Sequence, residues 1–121
     1  MKKTFAIATL ALFTTSAFAQ TAAVVNWVEI DDDNTAISVL GMTVDQIEDL
    51  RIYDASGTQV GEVEQVLGTD ANTATALAID LDNDNQDDDV VIALDQVTSA
   101  DGRINTTLTR AELEALPRWN D

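Results

Sequence analysis

Two stretches of alternating apolar residues flank an acidic run, and this arrangement constrains the fold more than any other feature of the chain. In residues 73–81, larger side chains at odd positions alternate with alanines, and residues 90–94 continue the alternation. A period of two is typical of β-strands that bury one face. The intervening run, Asp-Leu-Asp-Asn-Asp-Asn-Gln-Asp-Asp-Asp at residues 80–89, is rich in turn-forming residues. The sequence therefore predicts a β-hairpin with a strongly acidic connection.

The remaining pattern predicts a mainly β fold. The valines of the strand predicted at 59–67 are out of step with strict alternation, which indicates a bulge near Glu64. The pair Asp101-Gly102 is a strong signal for a two-residue turn. Short strands punctuated by turns favour a small β-barrel or strongly curved sheet. Further strands are predicted at 22–30, 35–40, 50–54 and 103–108.

Two capping boxes predict short helices. Thr43 and Gln46 have the spacing of an N-cap residue and its N3 partner, and Thr109 and Glu112 repeat it near the carboxyl terminus. Pro117 would end the second helix. The predicted fold class is therefore mainly β, a small β-barrel with one or two short helices.

The amino-terminal segment has the pattern of a secretory signal. Lys2 and Lys3 precede an apolar stretch at residues 5–13, and Ala17-Phe18-Ala19 forms a small-residue cleavage site. We expect cleavage after Ala19 and a periplasmic or secreted product that does not insert into the membrane. Three parts are predicted: a signal peptide at 1–19, an extension that forms a hairpin at 20–40, and a barrel-like domain at 41–121.

Charge and composition exclude several classes of function. The chain has 22 acidic residues against 6 basic ones, a net charge of −16, so nucleic-acid binding lacks its cationic footprint. Histidine and cysteine are absent, which removes the commonest general base, the thiol nucleophile and the usual zinc ligands. The sequence predicts no enzyme. Two explanations of the acidity stay open: adaptation to a salty exterior, in which self-repulsion is screened, and cation binding.

The acidic run predicts a calcium site. Asp80, Asp82, Asp84 and Asp88 occupy positions 1, 3, 5 and 9 of a potential loop, and Gln86 at position 7 offers its main-chain carbonyl. Calcium takes six to eight such oxygen ligands in flexible geometry. The spacing resembles the D-x-D-x-D loops between strands in integrin-type propeller blades, although it lacks their glycine. The alternative interpretation is a solvated acidic hairpin tip.

A wider resemblance covers residues 41–119. Leu50 to Leu67, read as L-R-I-Y-D-A-S-G-T-Q-V-G-E-V-E-Q-V-L, and the tail Leu108 to Pro117, read as L-T-R-A-E-L-E-A-L-P, resemble the PRC-barrel domain family. The resemblance implies a small barrel used as a binding or assembly module, without a shared active site. Residues 20–40 and 80–89 depart from the family pattern.

The predicted function is a non-catalytic exported binding or assembly module with a structural calcium loop. One alternative is a dedicated cation-binding protein of the periplasm, and a second is a salt-adapted envelope protein without a specific metal site. A protein partner or a homodimer is compatible with the sequence. Trp27 and Trp119 are expected to pack against the fold rather than to anchor a partner.

Overall fold

The computed structural model describes residues 26–120, and within them the fold is mainly β, as predicted. The predicted signal peptide and the start of the predicted extension lie outside the described residues. The helices are α1 (Val44–Ile47) and α2 (Arg110–Glu114), and a 3₁₀ turn spans Leu94–Gln96. The strands are β1 (Val28–Glu29), β2 (Ala36–Ile37), β3 (Met42–Thr43), β4 (Arg51–Tyr53), β5 (Gln59–Asp70), β6 (Thr73–Leu81), β7 (Asp89–Ala93), β8 (Val97–Ala100), β9 (Arg103–Thr106) and β10 (Arg118–Trp119).

The antiparallel pair β5–β6 forms the centre of the sheet. On β5, Val63 and Val66 are three residues apart, yet they lie opposite Ile79 and Leu77, which are two residues apart on β6. The extra residue falls between Val63 and Gln65, so the bulge predicted near Glu64 is confirmed. It allows both valines to face the core despite their spacing.

The main sheet has the strand order β10-β7-β6-β5-β4-β9-β8, and β1 also pairs with β5. The contact between β4 and β9 is parallel, and the other pairings are antiparallel. Within residues 26–120 no ladder joins β8 to β10, so the hydrogen-bonded sheet stays open. Strand β8 at one end of this order and β7, next to the other end, nevertheless contribute to one apolar cluster, which requires the sheet to curl around it.

The strands of the amino-terminal extension pair differently from the predicted hairpin. Strand β1 lies on the edge of β5, and Ile30 continues this contact through a bond from its N–H to the Val66 carbonyl. Strand β2 pairs instead with β3, so a small hairpin crosses the predicted boundary at residue 41. The physical reason is that β5 presents a long edge, on which Ile30 becomes buried.

Both helices begin at the predicted capping boxes. In each of them a threonine hydroxyl accepts from the N3 backbone N–H, and the N3 side chain accepts from the threonine N–H. These contacts satisfy donors that a helix start otherwise leaves without partners. The two caps therefore stabilise short helices, whose residues Val44, Ile47 and Leu113 are buried.

The core has two parts, on opposite faces of the sheet. The interior cluster is aliphatic and takes residues from β4 to β9 and from both helices, including Leu77 and Ile79 of β6. On the outer face, Ala76 and Ala78 form a smaller cluster with Leu67 and Val91. This division follows the alternation of side chains along β6 that the sequence predicts.

Candidate functional site

The acidic connection between β6 and β7 is the candidate site, and it curls tightly. Asn83 and Asn85 adopt φ angles of 61° and 58°. Asparagine tolerates this left-handed region better than most residues other than glycine. The asparagine at position 85 thus takes the conformation for which comparable loops use glycine.

In the structure, the five predicted calcium ligands do not all share one partner. Asp84 and Asp88 are brought together: their carboxylate oxygens lie 3.0 and 3.5 Å from the same guanidinium nitrogen of Arg118. The Asp82 carboxylate instead accepts from the Gln59 side chain at 3.3 Å. Asp80 belongs to β6, opposite Glu62.

The fifth predicted ligand, Gln86, takes part through its backbone N–H. This group donates to Oδ1 of Asp84 at 3.0 Å, while Oδ2 of the same carboxylate accepts from Arg118. Both oxygens of Asp84 therefore have partners within the protein, and its side chain is only 7% exposed.

Two arginines from the carboxyl-terminal part of the chain hold this connection. Arg110 donates to the main-chain carbonyl of Asp82 and forms an ion pair with Glu114 at 2.8 Å. Arg118 bridges Asp84 and Asp88. Sequence reasoning did not assign the contacts of these arginines with the connection, because the partners lie 28 to 34 residues apart and no local spacing links them.

The calcium site stays a prediction. Among the described residues, acidic side chains form no group of three or more that is placed to hold a metal ion. Oδ1 of Asp88 is buried and accepts no hydrogen bond, although Arg118 is nearby. A calcium ion bound by Asp84 and Asp88 would therefore compete with Arg118.

Three carboxylates have perturbed pKa values, each with a local cause. Burial tends to raise the pKa of Asp84, but the bond from Gln86 N–H and the Arg118 guanidinium outweigh it, and the net shift is downward. Hydrogen bonds from Ser56 and Thr58 hold the pKa of Asp54 below its usual value. Burial, followed by the negative charge of Asp33, raises the pKa of Glu48.

A shallow acidic depression of about 230 Å³ lies beside the connection. Its lining includes Asp80, Asp87 and Asp89, together with the indole of Trp119. Trp119 and Trp27 also pack against the small alanine cluster on the outer face of the sheet. The packing role expected for both tryptophans is confirmed.

The family model described as PRC-barrel domain matches residues 41–113, more than half of the chain. The chain belongs to the PRC-barrel domain family. The PRC-barrel match begins within the β2–β3 hairpin and ends in α2. Strands β1 and β10 lie outside it, as do Trp27 beside β1 and Trp119 within β10.

The PRC-barrel fold is generally non-catalytic, and at this coarse level the chain is a non-catalytic module. No curated protein matches the chain. None of the helices within residues 26–120 is long and apolar enough to cross a membrane.

Proposed function

We propose that this PRC-barrel protein is an exported, non-catalytic binding or assembly module that acts through its surface. The observation that carries the proposal is the filling of the interior. Aliphatic side chains from β4 to β9 meet in one cluster, and most of them are fully buried. Enclosed ligand sites of proteins usually hold about 300–1,000 Å³. The surface depressions described for this chain hold only about 170 to 230 Å³.

The electrostatics of the described residues support a role without catalysis. Active sites commonly combine several titratable groups with shifted pKa values in one cleft. Here Asp54 serves a turn, Asp84 serves the acidic connection, and Glu48 follows α1. Each shift has a structural cause, and these three carboxylates belong to different segments of the chain.

The outer surface provides a second, independent argument for a binding role. Trp27 and Trp119 cover the alanines on the outer face of β6, and both lie outside the family match. These flanking segments give the common barrel an additional packed face. A surface formed by segments outside the family match is a suitable place for a partner specific to this protein.

Export is a separate part of the proposal, and it rests on residues 1–19. The test is the intact mass and amino-terminal sequence of the protein recovered from the exported fraction of its host. We expect a chain that begins at Gln20. A chain that retains Met1 and stays in the cytoplasm would contradict export without touching the binding role.

Site-specific photo-crosslinking in the host tests the binding role. A photoreactive amino acid is placed in turn at Asp87 in the acidic connection, at Ala55 in the β4–β5 turn and at Thr98 on β8, because all three residues are exposed. A binding module should give a discrete adduct at one of these positions and none at the others. Adducts at none of them, or equal labelling at all three, would contradict the proposal.

The two alternative functions remain predictions with their own test. A dedicated cation-binding protein requires selective, tight calcium binding, whereas a salt-adapted envelope protein requires none. The Arg118 contacts neutralise part of the acidic connection without metal. This neutralisation favours the surface-binding role over a dedicated cation-binding role.

A further inference from the structure

We propose that the β2–β3 hairpin forms a self-association surface, through which two copies of this chain make a two-fold dimer. The surface, here named the neutral patch, consists of residues 36–43, 46, 72–74 and 94 around two shallow depressions. Val39 lines one of these depressions and is 68% exposed, the more exposed of the two large apolar side chains at the described surface, Val39 and Val28. This inference depends neither on export nor on the binding role proposed above.

The neutral patch contains no charged residue, which is unusual for a chain with a net charge of −16. The nearest carboxylates along the chain, Asp33, Asp45, Asp70 and Asp95, do not line either depression. Two copies repel each other wherever carboxylates face carboxylates. At the neutral patch two copies can approach without desolvating or opposing negative charges, so this charge pattern favours a second copy as the occupant.

The hairpin presents Val39 on a rigid support. Its neighbours Ile37 and Leu40 are buried at 2% and 5% exposure. The N–H groups of Leu40 and Gly41 both donate to the Ile37 carbonyl at 3.0 Å, and the Ser99 hydroxyl of β8 donates to the Leu40 carbonyl at 2.8 Å. Because the tip is already ordered, little conformational entropy is lost when Val39 is covered.

The protruding side chain and the depressions lie on the same surface, which is the condition for a two-fold contact. One depression of about 170 Å³ is bordered by Ser38 and Gly41 on the hairpin and by Gln46 of α1. In a two-fold interface each copy offers the same residues to the other. Val39 of one copy can therefore enter the depression of the second, while the reverse contact forms simultaneously.

The test is sedimentation equilibrium of the purified protein between roughly 10 µM and 1 mM, the range of a small transient interface. We expect a monomer–dimer equilibrium that strengthens when NaCl is raised, because salt screens the repulsion between the remaining acidic surfaces. Val39→Asp should weaken the dimer at least tenfold. Val28→Asp adds the same charge to an exposed valine outside the neutral patch and should change the dimer much less.

A second variant covers the case in which Val39→Asp does not fold. The chain contains no cysteine, so Val39→Cys carries a unique thiol that a bulky maleimide can label after folding. The unlabelled variant should dimerise and the labelled one should not. A wild-type protein that stays monomeric to 1 mM in high salt overturns the proposal, as does equal weakening by Val39→Asp and Val28→Asp. Neither result affects photo-crosslinking at Asp87, which tests the binding role separately.

Discussion

Arg118 donates to Oδ2 of Asp84 at 3.0 Å and thereby joins the short final strand to the acidic connection, 34 residues earlier in the chain. The carboxylate is nearly buried, whereas the guanidinium is 29% exposed. The burial of this ion pair is intermediate between that of a surface pair and that of a fully buried one. The contact is thus expected to contribute more to stability than the other ion pairs of this surface.

A double-mutant cycle with Arg118→Gln and Asp84→Asn measures that contribution. We expect a coupling free energy of about 1 kcal/mol, at the upper end of the range for exposed pairs, because Asp84 is shielded from water. The matched control is Arg110 with Glu114, an exposed pair one helical turn apart, for which about 0.3–0.5 kcal/mol is expected. Urea unfolding of both cycles gives the comparison. Equal coupling in the two cycles would contradict the prediction.

The same contact predicts a loss of stability in acid. The pKa of Asp84 is lower in the folded protein than its ordinary value, so the unfolded chain binds the proton first as the pH falls. The contribution of Asp84 should be complete above about pH 5 and should decline below about pH 4. The free-energy difference between the wild type and Asp84→Asn, measured from pH 7 to pH 2, should shrink in this window.

Asp54 serves as the control for this pH dependence. Its pKa is also lowered, but through Ser56 and Thr58 rather than an arginine. The variant Arg118→Gln should therefore flatten the pH dependence assigned to Asp84 and leave that of Asp54 unchanged. If Arg118→Gln alters both equally, the acid sensitivity arises from the overall charge.

Glu48 is expected to affect the pH dependence of stability in the opposite direction to Asp84. Burial and the nearby Asp33 raise its pKa, so the charged form destabilises the folded protein as the pH rises. Glu48→Gln should stabilise the protein at pH 7 by about 0.5 kcal/mol, the size of a like-charge effect on a partly exposed residue. The gain should vanish below pH 4, where the glutamate is protonated. Thermal unfolding at both pH values checks this, and a loss of stability at pH 7 would refute it.

Calcium binding at the acidic connection is tested by thermal unfolding at fixed ionic strength with EDTA, millimolar calcium or millimolar magnesium. A ligand that binds only the folded state raises the melting temperature. We expect a calcium-selective rise that the variant Asp82→Asn/Asp84→Asn loses, with an affinity of roughly 10⁻⁴–10⁻³ M. Equal shifts with both ions, kept in the variant, would indicate charge screening alone.

A further variant links the calcium prediction to the structure. Arg118 contacts both Asp84 and Asp88, so calcium has to displace it to bind both carboxylates. Arg118→Gln should consequently show a larger calcium-induced rise than the wild type. An unchanged or smaller rise would place any bound calcium away from these two carboxylates.

At the irregular end of β5, the position of Gly68 has no room for a larger side chain. A methyl group at this position would overlap the backbone carbonyls of Thr73 and Asp70. Gly68→Ala should cost about 3 kcal/mol, since the backbone itself has to move. Gly57 has a φ of 82° but open space around it, so Gly57→Ala should cost about 1–2 kcal/mol through strain alone. Equal urea midpoints for the two variants would contradict the steric argument.

Local patterns were sufficient to predict much of the fold. The capping boxes at Thr43 and Thr109 begin helices because their hydrogen bonds join residues three positions apart. The strand predicted at residues 73–81 has the observed bounds, and the bulge near Glu64 follows from the spacing of the valines. In each case the determining interaction lies within a few residues of the chain or follows from side-chain alternation.

Pairing between distant segments was decided only by the tertiary structure. The extension at residues 20–40 was predicted to form its own hairpin. Instead, β1 pairs with the long edge of β5, and β2 pairs with β3. Likewise, the regular spacing of acidic residues in the connection does not reveal Arg118, which lies beside Asp84 in the structure in which the final strand pairs with β7. The sequence by itself determined the strands, the caps and the charge. Which strand edges meet, and which cation faces the acidic connection, depends on the packing of the whole chain, because those contacts join residues that no local pattern relates.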